Sequence, residues 1–264
     1  MYAFNYHRPS SLEEAKQALA GAEEGKLVAG GMTLIPTMKQ RLASPSDLVD
    51  LGAIADLKGI CEDNGTVVVG AMTPHATVAS NEIVRSKIPA LAALADGIGD
   101  PQVRNRGTIG GSIANADPAA DYPAGLVGLG ATVKTDKREI AADDFFLDLF
   151  ETALEEDELV VSVSFPVPEK AGYAKFANPA SRYAIVGVMV SQGPAGTRVA
   201  VTGAGPSVFR VSEMESALDG NWLPDAVKGV TVAADGLNGD LHASAEYRAH
   251  LVSVMAGRAV TAAG

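Results

Sequence analysis

The first 55 residues alternate short apolar runs with stretches of helical spacing, in the order helix, strand, loop, helix, strand. Leu12, Ala15 and Leu19 would share one face of the first helix. Ser10 would cap this helix at its N-terminus, and Glu13, three residues later, would complete a capping box. The alternation predicts a small α/β unit. After the first helix, the predicted elements are a strand over 26–29, a helix over 34–42 and a strand over 46–51.

The middle of the chain, residues 56–167, has shorter apolar runs separated by turn residues. Asn64-Gly65 lies between two such runs and is a strong signal for a β-hairpin. Thr73-Pro74 is typical of a helix start. The further elements predicted here are a helix over 88–97, a hairpin from 131–134 and 138–140, and a strand over 158–165 that Pro166 ends.

The last third of the chain begins near Pro168 and predicts strands first and helices afterwards. The strands are predicted over 173–176, 184–192 and 197–202, and the helices over 212–218, 223–227 and 244–258. The complete pattern predicts an α+β fold with mainly antiparallel sheet in the later two thirds. We expect three parts, with boundaries at 1–55, 56–167 and 168–264.

Two segments combine a pair of adjacent glycines with a nearby hydroxyl group. The first is 26–36 (KLVAGGMTLIP) and the second is 106–118 (RGTIGGSIANADP). Adjacent glycines allow a positive φ and a close approach of the backbone to a ligand, with amide N–H groups pointing outward. One such loop suits a phosphate group, so two of them suit the diphosphate of a dinucleotide.

Charge and cysteine content narrow the function classes. The formal net charge is −11, which argues against a general nucleic-acid binder. No apolar run approaches the roughly 20 residues that span a bilayer, and we expect a cytoplasmic protein. Cys61 is the single cysteine, and the four histidines lack metal-ligand spacing, so no metal site is expected. Redox chemistry in this chain would therefore come from a bound organic cofactor.

Several further motifs leave more than one interpretation open. Arg104 and Arg106 could balance a diphosphate, face a partner or form ordinary ion pairs. The run 199–206 (VAVTGAGP) ends a strand in Gly-x-Gly, but it lacks the third glycine of a dinucleotide fingerprint and favours a turn. The acidic run 151–158 has no calcium-loop spacing, so we expect a solvated face. No nucleophile elbow is present, and no catalytic residue is predicted.

At these residues the chain resembles the FAD-binding medium subunits of the molybdenum hydroxylases, the family of carbon monoxide dehydrogenase and xanthine dehydrogenase. The resemblance extends over nearly the full length and is most specific in the second glycine segment. It is carried by residues 6–15 (YHRPSSLEEA), 29–36 (AGGMTLIP), 101–112 (PQVRNRGTIGGS), 117–121 (DPAAD) and 241–248 (LHASAEYR).

The resemblance implies a vanillyl-alcohol-oxidase-like fold, in which two lobes hold FAD between them. A C-terminal lobe with a three-stranded antiparallel sheet and helices would close over them. By similarity, residues 29–35 and 108–112 would hold the diphosphate, and Asp121 would bind a cofactor hydroxyl. Val160 would lie near the adenine, and Lys175 and Tyr183 would reach the flavin. The full set of implied cofactor-binding residues is Val28, Ala29, Gly30, Gly31, Met32, Thr33, Leu34, Ile35, Thr108, Ile109, Gly110, Gly111, Ser112, Asn115, Asp121, Val160, Lys175 and Tyr183.

The resemblance also implies a function in electron transfer. A large partner subunit would oxidise substrate at a molybdenum cofactor, and a small one would carry two [2Fe–2S] clusters. This chain would pass their electrons through FAD to an external acceptor, in a dimer of heterotrimers of the carbon monoxide dehydrogenase type. The complex would be cytoplasmic, with a peripheral position at the inner face of the membrane as a variant. Alternatives are an aldehyde or N-heterocycle dehydrogenase subunit, a stand-alone flavin oxidase, and a non-catalytic interaction module whose glycines only form turns.

Overall fold

The computed structural model describes all 264 residues, and its N-terminal part forms a small parallel sheet with two helices. The strands are β1 (Asn5–His7), β2 (Gly25–Val28) and β3 (Asp47–Asp50), and the helices are α1 (Leu12–Ala20) and α2 (Leu34–Lys39). The strand order is β1-β3-β2, and both pairings are parallel. This arrangement confirms the predicted α/β unit and adds the N-terminal strand, which is too short for a clear hydrophobic period.

The capping box of α1 lies one residue later than predicted. Ser11 is the N-cap, with extended backbone at φ −137° and ψ 162°, and its hydroxyl accepts a hydrogen bond from the amide of Glu14 at 3.2 Å. The Glu14 carboxylate in turn accepts from the amide of Ser10 at 2.7 Å. The prediction of Ser10 and Glu13 was therefore wrong in register, since two consecutive serines and two consecutive glutamates satisfy the motif in either frame.

The middle part is built on a five-stranded antiparallel sheet, with the helices packed against it. The strands and short strands in this part are β4 (Ile60–Asp63), β5 (Thr66–Gly70), β6 (Thr132–Thr135), β7 (Glu139–Ala141), β8 (Phe146–Asp148), β9 (Glu151–Thr152) and β10 (Val160–Pro166). The sheet order is β4-β5-β10-β6-β7, and β8 pairs with β9 alone. The hairpin predicted at Asn64-Gly65 is confirmed: both residues have positive φ, and Asp63 pairs with Thr66.

Seven helices belong to this middle part. They are α3 (His75–Ser80), α4 (Glu82–Lys87), α5 (Pro89–Asp96), α6 (Pro101–Arg106), α7 (Ile109–Asn115), α8 (Asp121–Leu129) and α9 (Ala142–Phe145). Every residue of α8 is buried. A Cβ on Gly128 of this helix would lie 2.5 Å from Cγ of Met189, so the glycine allows α8 to pack directly against the next sheet.

The C-terminal part has an antiparallel sheet covered by helices. Its elements are β11 (Lys170–Ala177), β12 (Ala184–Gly193), β13 (Gly196–Thr202), β14 (Phe209–Arg210), α10 (Ser212–Gly220), α11 (Pro224–Lys228) and α12 (Ala245–Ala263). The sheet order is β11-β12-β13-β14, so the three predicted strands are joined by a two-residue fourth one. After β13 the chain turns at Gly203, with φ +83°, and returns as antiparallel β14. The run 199–206 is therefore a turn, as predicted, and not a dinucleotide fingerprint.

The hydrophobic core of the middle part continues into the C-terminal sheet. Its cluster of 31 buried residues includes Met189 of β12 and Ala200 of β13. A second cluster of 18 buried residues lies between that sheet and the C-terminal helices. This first cluster contains residues from both sides of the expected boundary at residue 168. The division into parts at 1–55, 56–167 and 168–264 therefore stays a prediction. None of the helices combines the length and the apolar composition needed to cross a membrane.

Candidate cofactor-binding cleft

A cleft of about 650 Å³ lies where the three parts of the chain meet. Its walls come from the end of β2, the start of α7 and the turn before β12. Of the eighteen predicted cofactor-binding residues, all but Ile35, Ile109 and Lys175 line this cleft. A second groove of about 900 Å³ lies beside α11 and α12, and none of the predicted residues lines it. The cleft, not the groove, is therefore the candidate site.

The first glycine segment presents unpaired backbone amides. The amides of five consecutive residues, from 29 to 33, donate no hydrogen bond within the chain. Gly31 has φ +73°, a conformation that favours glycine, and Thr33 precedes α2 with its hydroxyl making no capping bond. A Cβ on Gly30 would overlap the carbonyl of Arg106, so the segment packs tightly against residues 106–107. These free amides suit an anionic group, as the sequence predicted.

The second glycine segment differs from the expectation. It is not a loop but the first turn of α7, with Thr108 as N-cap. The amide of Ile109 donates to the carbonyl of Thr73 at 3.2 Å, and that of Gly110 to the carbonyl of Ala71 at 2.8 Å. The amide of Gly111 donates to Oγ1 of Thr108 at 3.1 Å. The predicted outward-pointing amides are thus absent here, because the segment is bonded to residues 71–73 and to its own cap.

The second segment contributes side chains instead. Ser112 and Asn115 are half-buried, line the cleft one helical turn apart, and make no side-chain hydrogen bond within the chain. A Cβ on Gly111 would lie 3.2 Å from Cβ of Ala29, so the two glycine segments touch. The candidate anion site therefore has free backbone amides on one side and a hydroxyl and an amide side chain on the other.

Asp121 lies in the cleft wall as part of a buried cluster. Its Oδ1 accepts hydrogen bonds from the hydroxyl of Tyr173 and from Nζ of Lys175 at 2.9 Å. Burial raises the pKa of Asp121, while the nearby Lys175 ammonium opposes that rise. Both of these contacts are to Oδ1, which leaves Oδ2 available to accept a hydrogen bond. Binding of a cofactor hydroxyl by Asp121 stays a prediction.

The side chain of Lys175 is only 9% exposed, and it does not line the cleft. Its Nζ donates to the carbonyls of Gly97 and Arg182, both at 2.9 Å, in addition to Asp121. All three ammonium protons are thus used within the protein. The expected contact with a flavin is not visible in this arrangement and stays a prediction.

Tyr183 and Val160 line the cleft from different elements. Tyr183 is 43% exposed and immediately precedes β12, and Val160 is buried at the start of β10. Burial, together with the charges of Asp117 and Asp121, raises the pKa of the Tyr183 hydroxyl. The hydroxyl is therefore protonated at neutral pH and can donate a hydrogen bond.

His75 is a cleft residue that the sequence analysis did not single out. It is 4% exposed, its ring centroid lies 5.3 Å from that of Tyr122, and its Nδ1 is buried without a hydrogen-bond partner. Burial lowers its pKa to about 4, with a further contribution from Arg104. No sequence signal indicated that His75 is buried in the cleft wall. Its position depends on the close approach of Gly107, where a Cβ would lie 2.6 Å from Nε2 of His75.

Two charged motifs also differ from the expectations. Glu158, in the run expected to be a solvated face, is buried and bound by Arg138 and Thr135, which lowers its pKa to about 2. Arg104 donates from Nη1 to the carbonyls of Ile98 and Gly99, each at 3.0 Å. Arg106 is exposed. The Nε of Arg104 lies 3.8 Å from Oδ1 of Asp96, so of the interpretations left open for Arg104 the structure favours an ordinary ion pair.

Comparisons with known proteins show the family of this chain. The family model described as the FAD binding domain in molybdopterin dehydrogenase matches residues 2–168. The nicotine 6-hydroxylase medium subunit of Paenarthrobacter nicotinovorans is 37% identical over 276 residues, covering 99% of this chain and 98% of that protein. The carbon monoxide dehydrogenase medium chain of Hydrogenophaga pseudoflava is 36% identical, covering 98% and 96%. A chain of the reconstituted CO dehydrogenase from Oligotropha carboxidovorans has a TM-score of 0.90 at 33% identity, covering 99% and 98%.

The observed cleft fits FAD. Its free amides over 29–33 form a backbone cradle, in which Gly30 packs against the carbonyl of Arg106 and Gly31 has φ +73°. The unpaired side chains of Ser112 and Asn115 face the same space. The chain therefore belongs to the family of FAD-binding medium subunits of the molybdenum hydroxylases, as an oxidoreductase subunit with FAD as its cofactor.

Proposed function

We propose that this chain is the electron-transfer subunit of a heterotrimeric molybdenum hydroxylase. It would receive electrons from the [2Fe–2S] clusters of a small partner subunit and pass them through FAD to an external acceptor. A large partner subunit would oxidise the substrate at its molybdenum cofactor. The single observation that carries this proposal is the row of five unpaired backbone amides over 29–33, because it matches the needs of a diphosphate linker.

The residues of the cleft would bind and orient the cofactor. The amides of 29–33 would donate to the diphosphate, and Ser112 and Asn115 would complete its shell from the opposite wall. Tyr183 would cover the ring system and exclude water from one side of it. Bound FAD supplies the redox chemistry, since it can accept electrons one at a time and deliver two.

We further propose the carbon monoxide dehydrogenase type, assembled as a dimer of heterotrimers. The similarity to CO dehydrogenase medium chains supports this type, and the nicotine 6-hydroxylase medium subunit is about equally similar. An aldehyde or N-heterocycle dehydrogenase is therefore the second candidate. Because substrate would bind to the large subunit, this chain's own residues do not separate the two types.

The external acceptor would be a quinone or another carrier rather than NAD. The support for this choice is that the Gly-x-Gly run at 199–206 is a turn between antiparallel strands, so the chain offers no nucleotide fingerprint for a nicotinamide cofactor.

Purification of the tagged chain together with the products of adjacent genes tests the proposal. We expect one FAD per chain, iron–sulfur absorption in the complex, and bleaching of the flavin band on addition of either carbon monoxide, an aldehyde or an N-heterocycle under anaerobic conditions. A colourless chain without affinity for FAD would support the interaction module. Oxidation of a small alcohol by the isolated chain would support the stand-alone oxidase.

A further inference from the structure

A short segment beside the C-terminal helix has unpaired backbone groups. Residues 230–233 follow α11 and belong to no helix, strand or turn. The amides of residues 231, 232 and 233 donate no hydrogen bond within the chain, and the carbonyls of the same three residues accept none. A row of unpaired amides and carbonyls forms a free strand edge, which can pair with another chain. We call residues 230–233 the free edge.

The exposure of the side chains alternates along the free edge. Val230 and Val232 are half-buried and pack against the core of the C-terminal part, whereas Thr231 and Ala233 are exposed. A period of two and a high content of β-branched residues are both typical of a strand. The free edge therefore has the pattern of an edge strand that lacks a neighbour.

The backbone groups on one side of the free edge are available for pairing. The carbonyl of Val230 accepts a hydrogen bond from Oγ of Ser253 on α12 at 2.6 Å. Successive residues of a strand direct their backbone groups to alternate sides, so those of Val232 point towards α12 as well. The backbone groups of Thr231 and Ala233 point to the opposite side, away from α12.

The free edge runs in the opposite direction to α12, and both line the groove of about 900 Å³. Before the free edge, the carbonyl oxygen of Pro224 would lie 3.6 Å from a Cβ on Gly257, near the end of α12. After it, a Cβ on Gly239 would lie 3.9 Å from the amide nitrogen of Ala245, where α12 begins. Each end of the free edge is therefore matched with a different end of the helix.

Charged residues make these two ends different. Lys228, just before the free edge, and Arg258, near the C-terminal end of α12, are exposed at one end of the groove. Asp235, just after the free edge, and Glu246, in the first turn of α12, are exposed towards the other end. A second copy running in the opposite direction would bring its acidic end to the basic end of the first. The surface is thus complementary in charge to itself.

The ion pair that Lys228 makes within the chain does not prevent such a contact. Its Nζ lies 2.5 Å from Oδ1 of Asp225, one helical turn earlier, and the two side chains are 70% and 80% exposed. Exposed pairs of this kind contribute little to stability. Lys228 is therefore free to face a carboxylate of another molecule.

We propose that the free edge is the interface of a symmetric dimer, in which a second copy of this chain adds an antiparallel strand. Twofold symmetry places half-buried side chains opposite one another, so Val232 lies opposite its counterpart and Thr231 lies opposite Ala233. Both amides of the latter two residues donate to the other copy, which makes four hydrogen bonds in total. Asp235 of each copy comes next to Lys228 of the other. The inference uses no residue of the cofactor cleft and does not depend on the proposed function.

Sedimentation velocity of the complete chain over a concentration series tests the inference. We expect a dissociation constant in the micromolar range, because a short strand pair buries little surface. Ala233→Pro removes an N–H from each copy and should weaken the dimer at least tenfold. Ala234→Pro is the matched control, since it makes the same change at the next residue, whose amide is on the side of α12, and should weaken the dimer less than twofold. A chain that is still monomeric at about 0.2 mM, or equal weakening by both substitutions, would overturn the inference.

Exchanging the charges at the two ends tests the orientation of the copies. Lys228→Glu and Asp235→Lys should each weaken the dimer at least tenfold, because each variant places like charges opposite one another. An equimolar mixture of the two variants should dimerise about as well as the unmodified chain, since both contacts are then between opposite charges. Thermal unfolding shows that each variant is folded. A mixture that stays monomeric would contradict the antiparallel arrangement.

Amide hydrogen exchange, followed by NMR, locates the interface. In the dimer, the amides of residues 231 and 233 should exchange at least tenfold more slowly than in the monomer, whereas that of residue 232 should exchange equally fast in both. A dimer without protection at 231 and 233 would use another surface and would overturn the inference. Protection of these amides only in a complex with other subunits, with the chain itself monomeric, would show that a different protein covers the free edge, and the inference would be wrong.

Discussion

Gly110 lies directly against Ala71: its amide donates a 2.8 Å hydrogen bond to the Ala71 carbonyl, and no side chain fits between the two residues. A Cβ on Gly110 would lie 2.6 Å from Cβ of Ala71 and 2.8 Å from its carbonyl oxygen. Gly110→Ala should therefore destabilise the cofactor-free chain by about 1–3 kcal/mol, as overpacking does elsewhere. Urea unfolding in the absence of FAD measures this.

Gly111→Ala is the comparison for this prediction. Its Cβ would meet Oγ1 of Thr108 at 3.0 Å and Cβ of Ala29 at 3.2 Å, which smaller shifts can relieve. We expect a loss of less than about 1 kcal/mol. If Gly110→Ala kept the full stability of the chain but no longer bound FAD, the prediction would be wrong. A Cβ at this position would then interfere with the cofactor and not with Ala71.

Ser112→Ala and Asn115→Ala should weaken FAD binding without changing the stability of the chain. Neither side chain has a hydrogen-bond partner within the protein, so the fold loses nothing, whereas each lost bond to a ligand costs about 1 kcal/mol, or somewhat less than tenfold in affinity. FAD titration and thermal unfolding are measured together. Ser216→Ala on α10, away from the cleft, is the control, and equal affinities for all three variants would argue against the site.

Gly31→Ala tests the backbone cradle. At φ +73° an alanine is strained by about 1 kcal/mol, and its Cβ would lie 2.9 Å from Cγ1 of Ile35. We expect the amides of 29–33 to shift and FAD affinity to fall at least tenfold. Gly236→Ala has a similar strain at φ +80° with no atom within 4 Å, so its FAD affinity should stay unchanged. Matching losses in both variants would show that strain alone is responsible.

His75 should make the chain less stable as the pH falls. Burial lowers its pKa to about 4, whereas the unfolded chain has the ordinary value of 6.5, so protons bind preferentially to the unfolded state between these values. The stability contributed by neutral His75 is complete above pH 6.5 and is lost towards pH 4, by up to about 3 kcal/mol. Urea unfolding of the unmodified chain and His75→Gln over this range shows the difference, and an NMR titration placing His75 near 6.5 would contradict it.

The sequence was sufficient for many of the elements and for the first glycine segment of the candidate site. Asn64-Gly65 predicted its hairpin because the two residues tolerate the positive φ that the turn requires. The glycine segment at 29–33 was identified because its residue types suit a ligand-binding backbone. Both are local properties, which a short stretch of sequence carries by itself.

Only the tertiary structure decided how the second segment and the charged residues are used. The amides of residues 109 and 110 are paired with residues 71 and 73, more than 30 positions away, so their outward direction could not be judged locally. Lys175 likewise bonds to oxygens of Gly97 and Asp121, which lie more than 50 positions away in the sequence. A hydrogen-bond donor has few protons, and which acceptors receive them depends on long-range packing that residue type and spacing do not encode.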